Sequence, residues 1–454
     1  MKTALYATYK NSTSQWLGDI PSHWEVKKLK FLAVVQPSNV DKKTVEGEEA
    51  VLLCNYTDVY KNEYIDGRLD FMRATATSDE IKKFAVDIGD VIVTKDSETP
   101  EDIAVPACVA EKVEGLLCGY HLTQIKPIDL AGRFLFRLFQ STGFSAQFTV
   151  AANGVTRFGL PQYAIANAFC PVPPSDEQVT IAQFLDYKTT QIDALIAKKE
   201  ALLAKLAEKR TSLISHAVTK GLDPSVPMKD SGVVWLGEVP KHWNAKRLKF
   251  SISILGGGTP NTGNHEYWNG EIPWVSPKDM KCDLIISTED YLTDLGLKES
   301  ATKVIPKDAV LIVVRSGILR HTIPVARNVV EVTLNQDMKA LITNKWLRAD
   351  FLHYFISGLQ GGLLPLWSKQ GCTVESIEMD YMRNSPIPLP PPDEQEEIVE
   401  HIFTVVERIK LQASKIGAAI KALEEYRSAL ITNAVTGKID VRDFKILATD
   451  AVLS

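Results

Sequence analysis

The chain has no Cys-x-x-Cys pair, and its six cysteines (Cys54, Cys108, Cys118, Cys170, Cys282 and Cys372) are scattered. Such spacing gives neither a zinc cage nor a disulfide framework, and it reads as the reduced thiols of a cytoplasmic protein. No apolar run approaches the length of a membrane span; the longest strong one is Ala309 to Val314. The opening Met1-Lys2-Thr3-Ala4-Leu5-Tyr6 lacks the apolar core of a signal peptide. Catalytic signatures are missing as well. The sequence has no Gly-x-x-x-x-Gly-Lys-Ser/Thr loop to cradle a nucleotide, no Asn/Asp-Pro-Pro-aromatic motif of an amino-group methyltransferase, and no Gly-x-Ser-x-Gly or His-Glu-x-x-His. Gly256-Gly257-Gly258-Thr259-Pro260 is a glycine-rich turn without the phosphate-binding lysine, and it reads as a loop. Basic charge is not in excess: 51 Lys and Arg face 56 Asp and Glu, a net charge of −5. That balance excludes a uniformly basic nucleic-acid coat but leaves room for local basic patches.

What is present is a pattern written twice. One stretch runs from about Ser175 to Thr219, its near-copy from about Pro392 to Thr436. Each opens on Asp-Glu-Gln behind a proline-rich lead (Asp176-Glu177-Gln178 and Asp393-Glu394-Gln395) and closes on Ala-Val-Thr (Ala217-Val218-Thr219 and Ala434-Val435-Thr436). In the second copy Ile402, Ile409, Ile416, Leu423 and Leu430 fall seven apart; in the first, the same slots hold Leu185, Ile192, Lys199, Leu206 and Leu213. A seven-residue apolar period held over four heptads is a coiled-coil seam. Lys199 departs from it and marks register or a place where the pair splays. Neither copy has an internal proline after its start, and Gly417 costs only about 1 kcal/mol against alanine. About 45 residues at about 1.5 Å each predict a rod on the order of 65 Å long. A helix with such a stripe needs a mate. The other copy in the same chain, running antiparallel, supplies one; dimerisation through either helix is the competing arrangement.

Ahead of each long segment stands a tryptophan box. Trp16-Leu17-Gly18-Asp19-Ile20-Pro21-Ser22-His23-Trp24 recurs as Trp235-Leu236-Gly237-Glu238-Val239-Pro240-Lys241-His242-Trp243, each followed by a basic Leu-Lys-Phe run. A packed corner is the reading for His23, His242 and their tryptophans, because no second ligand stands at metal spacing in both copies. Between box and rod lies a variable body, about 32–170 and 251–387. Its short β-branched runs (Ala50–Cys54, Asp90–Thr94, Glu271–Val275, Val310–Val314) predict a β or α+β body carrying loops. Leu135–Phe139 and Phe351–Ile356 read as short core helices. Pro171-Val172-Pro173-Pro174 and Pro386 to Pro392 stiffen the joint into each helix.

Two unlike heads on a stiff spacer suit a duplex, where twofold readers take half-sites about 34 Å apart or a multiple of it. Base reading wants Arg or Lys for guanine, Asn or Gln for adenine and Ser or Thr for either. Loops at matching places in the two bodies carry those types. The candidate DNA-binding residues are Asn55, Thr57, Lys95, Tyr120, His121, Thr156 and Arg157 in the first body. In the second they are Thr259, Ser276, Lys278, Arg315, Ser316, Asn335, Gln336 and Lys369, beside the landmark Gln370-Gly371-Cys372-Thr373-Val374. Any single one is equally readable as a solvated or turn-capping residue.

The repeated tryptophan box, the run Tyr267-Trp268-Asn269-Gly270-Glu271-Ile272-Pro273-Trp274-Val275-Ser276-Pro277-Lys278-Asp279-Met280, and the Asp-Glu-Gln helix ending in Ala-Val-Thr resemble the DNA-specificity subunit of type I restriction–modification systems. The resemblance spans nearly the whole chain. It implies an α+β fold: two globular α/β target-recognition domains separated by two long antiparallel coiled-coil helices, with a pseudo-twofold internal repeat. The expected domains are 1–170 and 221–387 for recognition, 171–220 and 388–437 for the spacer helices, and a tail, 438–454, packing toward the N-terminus. The resemblance further implies a non-enzymatic subunit that reads a split DNA site. Its partners would be double-stranded DNA, two adenine-N6 methyltransferase subunits and ATP-dependent restriction subunits. S-adenosylmethionine, Mg and ATP would be held by those partners, and no cofactor or metal by this chain. Asn55-Tyr56-Thr57-Asp58 departs from the family's Ser-Pro-Lys-Asp, so the two heads are expected to prefer different sequences. The rival reading is a cytoplasmic scaffold whose two heads grip proteins.

Overall fold

The computed structural model describes residues 4–369 and 374–445. Gln370 to Thr373 and the end of the tail, 446–454, lie outside the described residues. The chain divides into two compact units, residues 1–199 with 418–454, and residues 200–417. Both long segments are continuous helices, Ser175–Lys220 and Pro392–Val435, and each contributes one part to either unit.

The start of each helix is built the same way. The strand Glu25–Lys28 after the first tryptophan box pairs antiparallel with Phe169–Val172, and Asn244–Arg247 pairs with Pro386–Leu389. Pro171, Pro386 and Pro388 therefore sit in two-stranded ladders, where a missing N–H removes least. The glutamine of each Asp-Glu-Gln is buried behind the helix start. Gln178 Oε1 accepts from the Ala131 N–H at 2.7 Å and its amide donates to the Pro173 carbonyl at 2.9 Å. Gln395 repeats this with Arg348 N–H at 2.9 Å and the Pro390 carbonyl at 2.8 Å. Each helix stops at a left-handed glycine, Gly221 at φ 74° and Gly437 at φ 71°. Gly437 lies against the first tryptophan box, where a Cβ would collide with Pro21. Gly221 lies against Trp243 of the second.

The two bodies repeat one topology. In the first unit a five-stranded sheet runs in the order Ala33–Pro37, Leu122–Pro127, Val91–Thr94, Pro106–Val109, Tyr64–Ile65. In the second the order is Ile252–Gly256, Met338–Thr343, Val310–Val313, Val325–Asn328, Leu284–Ile285. All neighbours are antiparallel except the last pair, which is parallel in both units. A three-stranded sheet follows in each, with one parallel and one antiparallel pair. The expected short helices are Gly132–Phe139 and Ala349–Gly358.

The apolar stripes of the rod are buried in part against these bodies. In the first unit Ile181, Leu185 and Ile192 share a core with Leu430, Ile431 and Val435 and with Phe134, Phe139 and Phe148 of the body. In the second unit Ile214 and Val218 share a core with Ile398, Ile402 and Val406 and with Phe351 and Phe355. Early residues of one helix thus meet late residues of the other, which is antiparallel pairing within each unit. Among the seam residues Leu185, Ile192, Ile402, Ile409 and Leu430 are buried, whereas Leu206, Leu213, Ile416 and Leu423 are half-buried, as is Lys199. Lys199 and Gly417 are the last helix residues before each change of unit. In the first unit Ala4 pairs with Asp440, whose N–H donates to the Ala4 carbonyl at 2.8 Å, so the first residues of the tail lie beside Ala4.

Candidate nucleic-acid interface

The candidate loops stand at strand ends of the five-stranded and three-stranded sheets of each unit. In the first unit Asn55 ends the strand Glu49–Cys54 and caps the helix Tyr56–Lys61, its N–H donating to Asp58 Oδ2 at 2.7 Å. Asn55 is buried and its Oδ1 has no partner. It shapes the turn that carries Thr57, which is exposed. Ser276 does the same in the second unit. It is buried, its N–H and Oγ both donate to Asp279 Oδ2 at 2.8 and 2.9 Å, and the turn it caps carries exposed Lys278.

The remaining first-unit candidates gather in one place. Strand Asp96–Ser97 pairs with Phe158–Gly159 of a hairpin whose tip bears exposed Thr156 and Arg157. His121 Nδ1 lies 2.5 Å from Asp96 Oδ2, its backbone in the left-handed region at φ 72°. That conformation costs of order 1–3 kcal/mol in a non-glycine residue, and here it holds the ring on the carboxylate. The Tyr120 ring lies 4.0 Å from the His121 ring and 4.9 Å from Lys95 Nζ. Lys95 is half-buried and donates to the Ser38 carbonyl at 3.2 Å. A cleft beside this cluster is lined by Tyr56, Tyr60, Asp96, Thr156 and Arg157. Tyr56 and Tyr60 stack with centroids 5.5 Å apart, and Tyr60 donates to Asp102 Oδ2 at 2.6 Å. Burial pushes the Tyr56 phenol above its ordinary range, so it is a neutral donor at physiological pH. Tyr56, Tyr60 and Asp96 are not among the DNA-binding candidates read from the sequence. The available signal for the tyrosines was an aromatic pair four residues apart, beginning in Asn55-Tyr56-Thr57-Asp58.

In the second unit the turn after Leu334 brings most of the candidates together. Asn335 N–H donates to the Val275 carbonyl at 2.9 Å, placing this turn beside Ser276. Thr259 Oγ1 donates to Gln336 Oε1. The approach of the two loops needs Gly257, where a Cβ would collide with the Leu334 and Asn335 carbonyls. Arg315 Nε lies 2.6 Å from Asp337 Oδ1. Ser316 caps the next turn and donates its N–H to the Glu375 carbonyl at 3.0 Å. Lys369 joins through its N–H to the Ser376 carbonyl at 2.9 Å, and its Nζ is 4.0 Å from Glu378. Lys278 lies across the turn, 3.3 Å from Asp290. Arg315, Lys278 and Lys369 are thus all exposed and all paired with carboxylates. Exposed pairs are worth only about 0–1 kcal/mol. They orient the cations yet release them readily to a stronger acceptor.

Behind the loops, each body is tied to the rod by an acidic residue at matching positions. In the first unit Glu63 meets Arg427 at 2.5 Å and Arg137 at 3.2 Å. In the second Asp283 meets Arg210 at 3.1 Å and Lys410 at 3.2 Å. Burial raises both carboxyls, but the neighbouring cations outweigh it and hold them below their ordinary range. The tryptophan boxes add a second tie. Trp24 and Trp243 are fully buried, His23 lies 2.9 Å from Glu177, and His242 lies 2.8 Å from Glu394. Among the described residues no group of acids, histidines and cysteines could hold a metal ion.

The same fold built twice, with unlike residues on matching loops, coincides with what known proteins show. The family model described as type I restriction modification DNA specificity domain matches residues 21–205 and again 240–422. The chain belongs to this family.

Within it, the type I restriction enzyme EcoR124I/EcoR124II specificity subunit of Escherichia coli is 39% identical over 233 residues, covering 51% of this chain and 53% of that protein. The MjaIX specificity subunit of Methanocaldococcus jannaschii is 29% identical over 36% of this chain and 38% of its own length. The chain thus spans about half or less of the length of these two relatives. The putative MjaX specificity subunit of the same archaeon is 21% identical over 94% of this chain and 96% of its own. A chain from a solved structure concerned with complex assembly and conformational transition of the type I R-M system overlays with a TM-score of 0.72 at 17% identity, covering 92% of this chain and 98% of that one. The HsdS subunit from Thermoanaerobacter tengcongensis overlays with a TM-score of 0.53 over 92% and 98%. Both solved chains share the fold of two sheet bodies and two long helices. Among the described residues no helix is long and apolar enough to cross a membrane.

Proposed function

We propose that the chain is the sequence-specific DNA-binding subunit of a type I restriction–modification complex, reading a bipartite, asymmetric site with one body per half. The observation that carries this is the double family match laid over one topology with two different loop sets. Identical frames with unlike readers are what an asymmetric split site requires. Tyr120, His121, Thr156 and Arg157, with Thr57 and Lys95, are the reading residues of the first body; Arg315, Gln336, Lys278, Thr259, Asn335, Ser316 and Lys369 are those of the second. Asn55 and Ser276 position the loops. The paired helices, with their seam from Leu185 to Leu213 and Ile402 to Leu430, set the unread spacer. No chemical step belongs to this chain. Adenine-N6 methyltransferase and restriction subunits dock on it and bring S-adenosylmethionine, Mg and ATP, and a net charge of −5 fits partners that supply much of the phosphate contact.

Binding of the chain together with methyltransferase subunits to a duplex carrying the methylated host sequence tests this. The expected affinity falls steeply and linearly with log salt, as counterion release requires. A salt-independent grip on protein, with no duplex bound, would establish the scaffold reading instead.

A further inference from the structure

Each unit leaves a phenylalanine in water at one and the same place. Phe31 is 65% exposed and Phe250 is 66% exposed. They close two equivalent turns, Leu29-Lys30-Phe31 and Leu248-Lys249-Phe250, whose leucines are buried and supply the packing. The geometry around them repeats as well. Lys30 Nζ stands 5.3 Å from the Phe31 ring and Lys249 Nζ 5.3 Å from the Phe250 ring. A short helix packed on each turn offers an exposed tyrosine, Tyr163 in one unit and Tyr381 in the other.

The fold gains little from these rings, since burial of a third of a side chain is a small part of what a core phenylalanine contributes. The loops that would sort DNA differ between the bodies, whereas this patch is the same in both. A feature shared by two readers of different sequence serves something both readers meet alike. The patch is cationic, with Lys30 and Lys28 in one copy and Lys249 and Arg247 in the other. No carboxylate stands between Val26 and Val34 or between Ala245 and Ser253. An exposed aromatic with a lysine over its face fits an apolar socket bordered by carboxylates, the arrangement of a small protein–protein anchor.

We propose that Phe31 and Phe250 anchor two copies of one partner protein, one per unit, each ring seated in an apolar, acid-rimmed socket. This rests on the function proposed above, in which that partner is the adenine methyltransferase subunit. The probe is therefore that subunit, titrated onto the full chain and read by native mass spectrometry and sedimentation. Wild type binds two copies. Phe31→Ala or Phe250→Ala alone weakens one site by roughly tenfold or more, as loss of an interface anchor does, and leaves a one-to-one complex. The double variant binds neither copy tightly, while its circular dichroism, melting temperature and half-site preference stay those of wild type. Lys30→Glu with Lys249→Glu weakens both sites and flattens their salt dependence. Two copies still bound to the double phenylalanine variant at unchanged affinity would overturn the anchor alone. Loss of duplex binding with partner binding intact would make the patch a phosphate contact and overturn it equally. A wild-type chain that binds no methyltransferase would bring down the functional reading itself, a result distinct from either.

Discussion

Glu177 and Glu394 occupy the same slot of the two helices, yet their removal should have unequal consequences. Glu177 is 4% exposed and is the acceptor for three donors: Trp24 Nε1 at 3.1 Å, His23 Nε2 at 2.9 Å and the Tyr6 hydroxyl. Burial, reinforced by the Glu177 hydrogen bond, pushes the Tyr6 phenol far up, so it remains a donor. Glu177→Ala strands two buried donors, Trp24 N–H and Tyr6 O–H. Each costs about 1–3 kcal/mol when unpaired, which gives about 2–6 kcal/mol for the pair. Among the described residues Glu394 has a polar contact with His242, a side chain 44% exposed, and Trp243 Nε1 has no hydrogen-bond partner already. Glu394→Ala strands nothing new, and an exposed pair is worth about 0–1 kcal/mol. Urea unfolding followed by tryptophan fluorescence measures both variants against wild type. Equal losses would refute the reasoning, because they would mean that the slot acts through helix capping common to both copies and not through the buried cluster present in one.

Further perturbations separate reading, spacing and clamping. Arg315→Ala should weaken recognition of one half-site by about 1–3 kcal/mol and leave the other untouched; unchanged methylation specificity would remove Arg315 from the reading set. Inserting one heptad in both helices should lengthen the spacer tolerated between half-sites, and sequencing of methylated adenines would expose a changed half-site, which contradicts a ruler. Arg427→Met should destabilise the first unit near neutral pH. Glu63 has a depressed folded value, so the stability it lends is present above the ordinary carboxylate range and lost as pH falls through the folded value; the variant and wild type should therefore converge in acid-unfolding curves. Iodoacetamide should label exposed Cys282 and spare Cys54, Cys108, Cys118 and Cys170, which are buried, with burial pushing Cys108 up to about 12 and the others higher than usual. Peptide mapping by mass spectrometry reads this directly.

The heptad stripe, the box and the strand runs were legible because each obeys a short-range period or recurs intact. The strands Glu49–Cys54, Val91–Thr94, Trp268–Val275 and Val310–Val313 fall on the runs read from β-branched residues. What was illegible is the orientation of individual loop side chains. Asn55 and Ser276 carry the same polar groups whether they cap a turn or meet a base, and the pairing of their N–H groups with the carboxylate three residues on appears only in the fold. The acidic mates of His121 and Arg315 lie 25 and 22 residues away, so no local window couples them. The tie from His23 to Glu177 spans 154 residues. Its one trace in the sequence was that the same His and Glu recur in both copies.

The ladder that joins Glu25–Lys28 to Phe169–Val172, and its counterpart joining Asn244–Arg247 to Pro386–Leu389, means that each body leaves the frame and rejoins it at a single stapled doorway. A segment mounted that way behaves as a cartridge. Its outward loops can be exchanged for others of different length while the doorway stays closed, provided that the faces holding Glu63 and Phe139, or Asp283 and Phe351, still meet the long helices. Replacement at those two short seams therefore leaves only the face turned to the helices to be kept, and the outward loops free to vary.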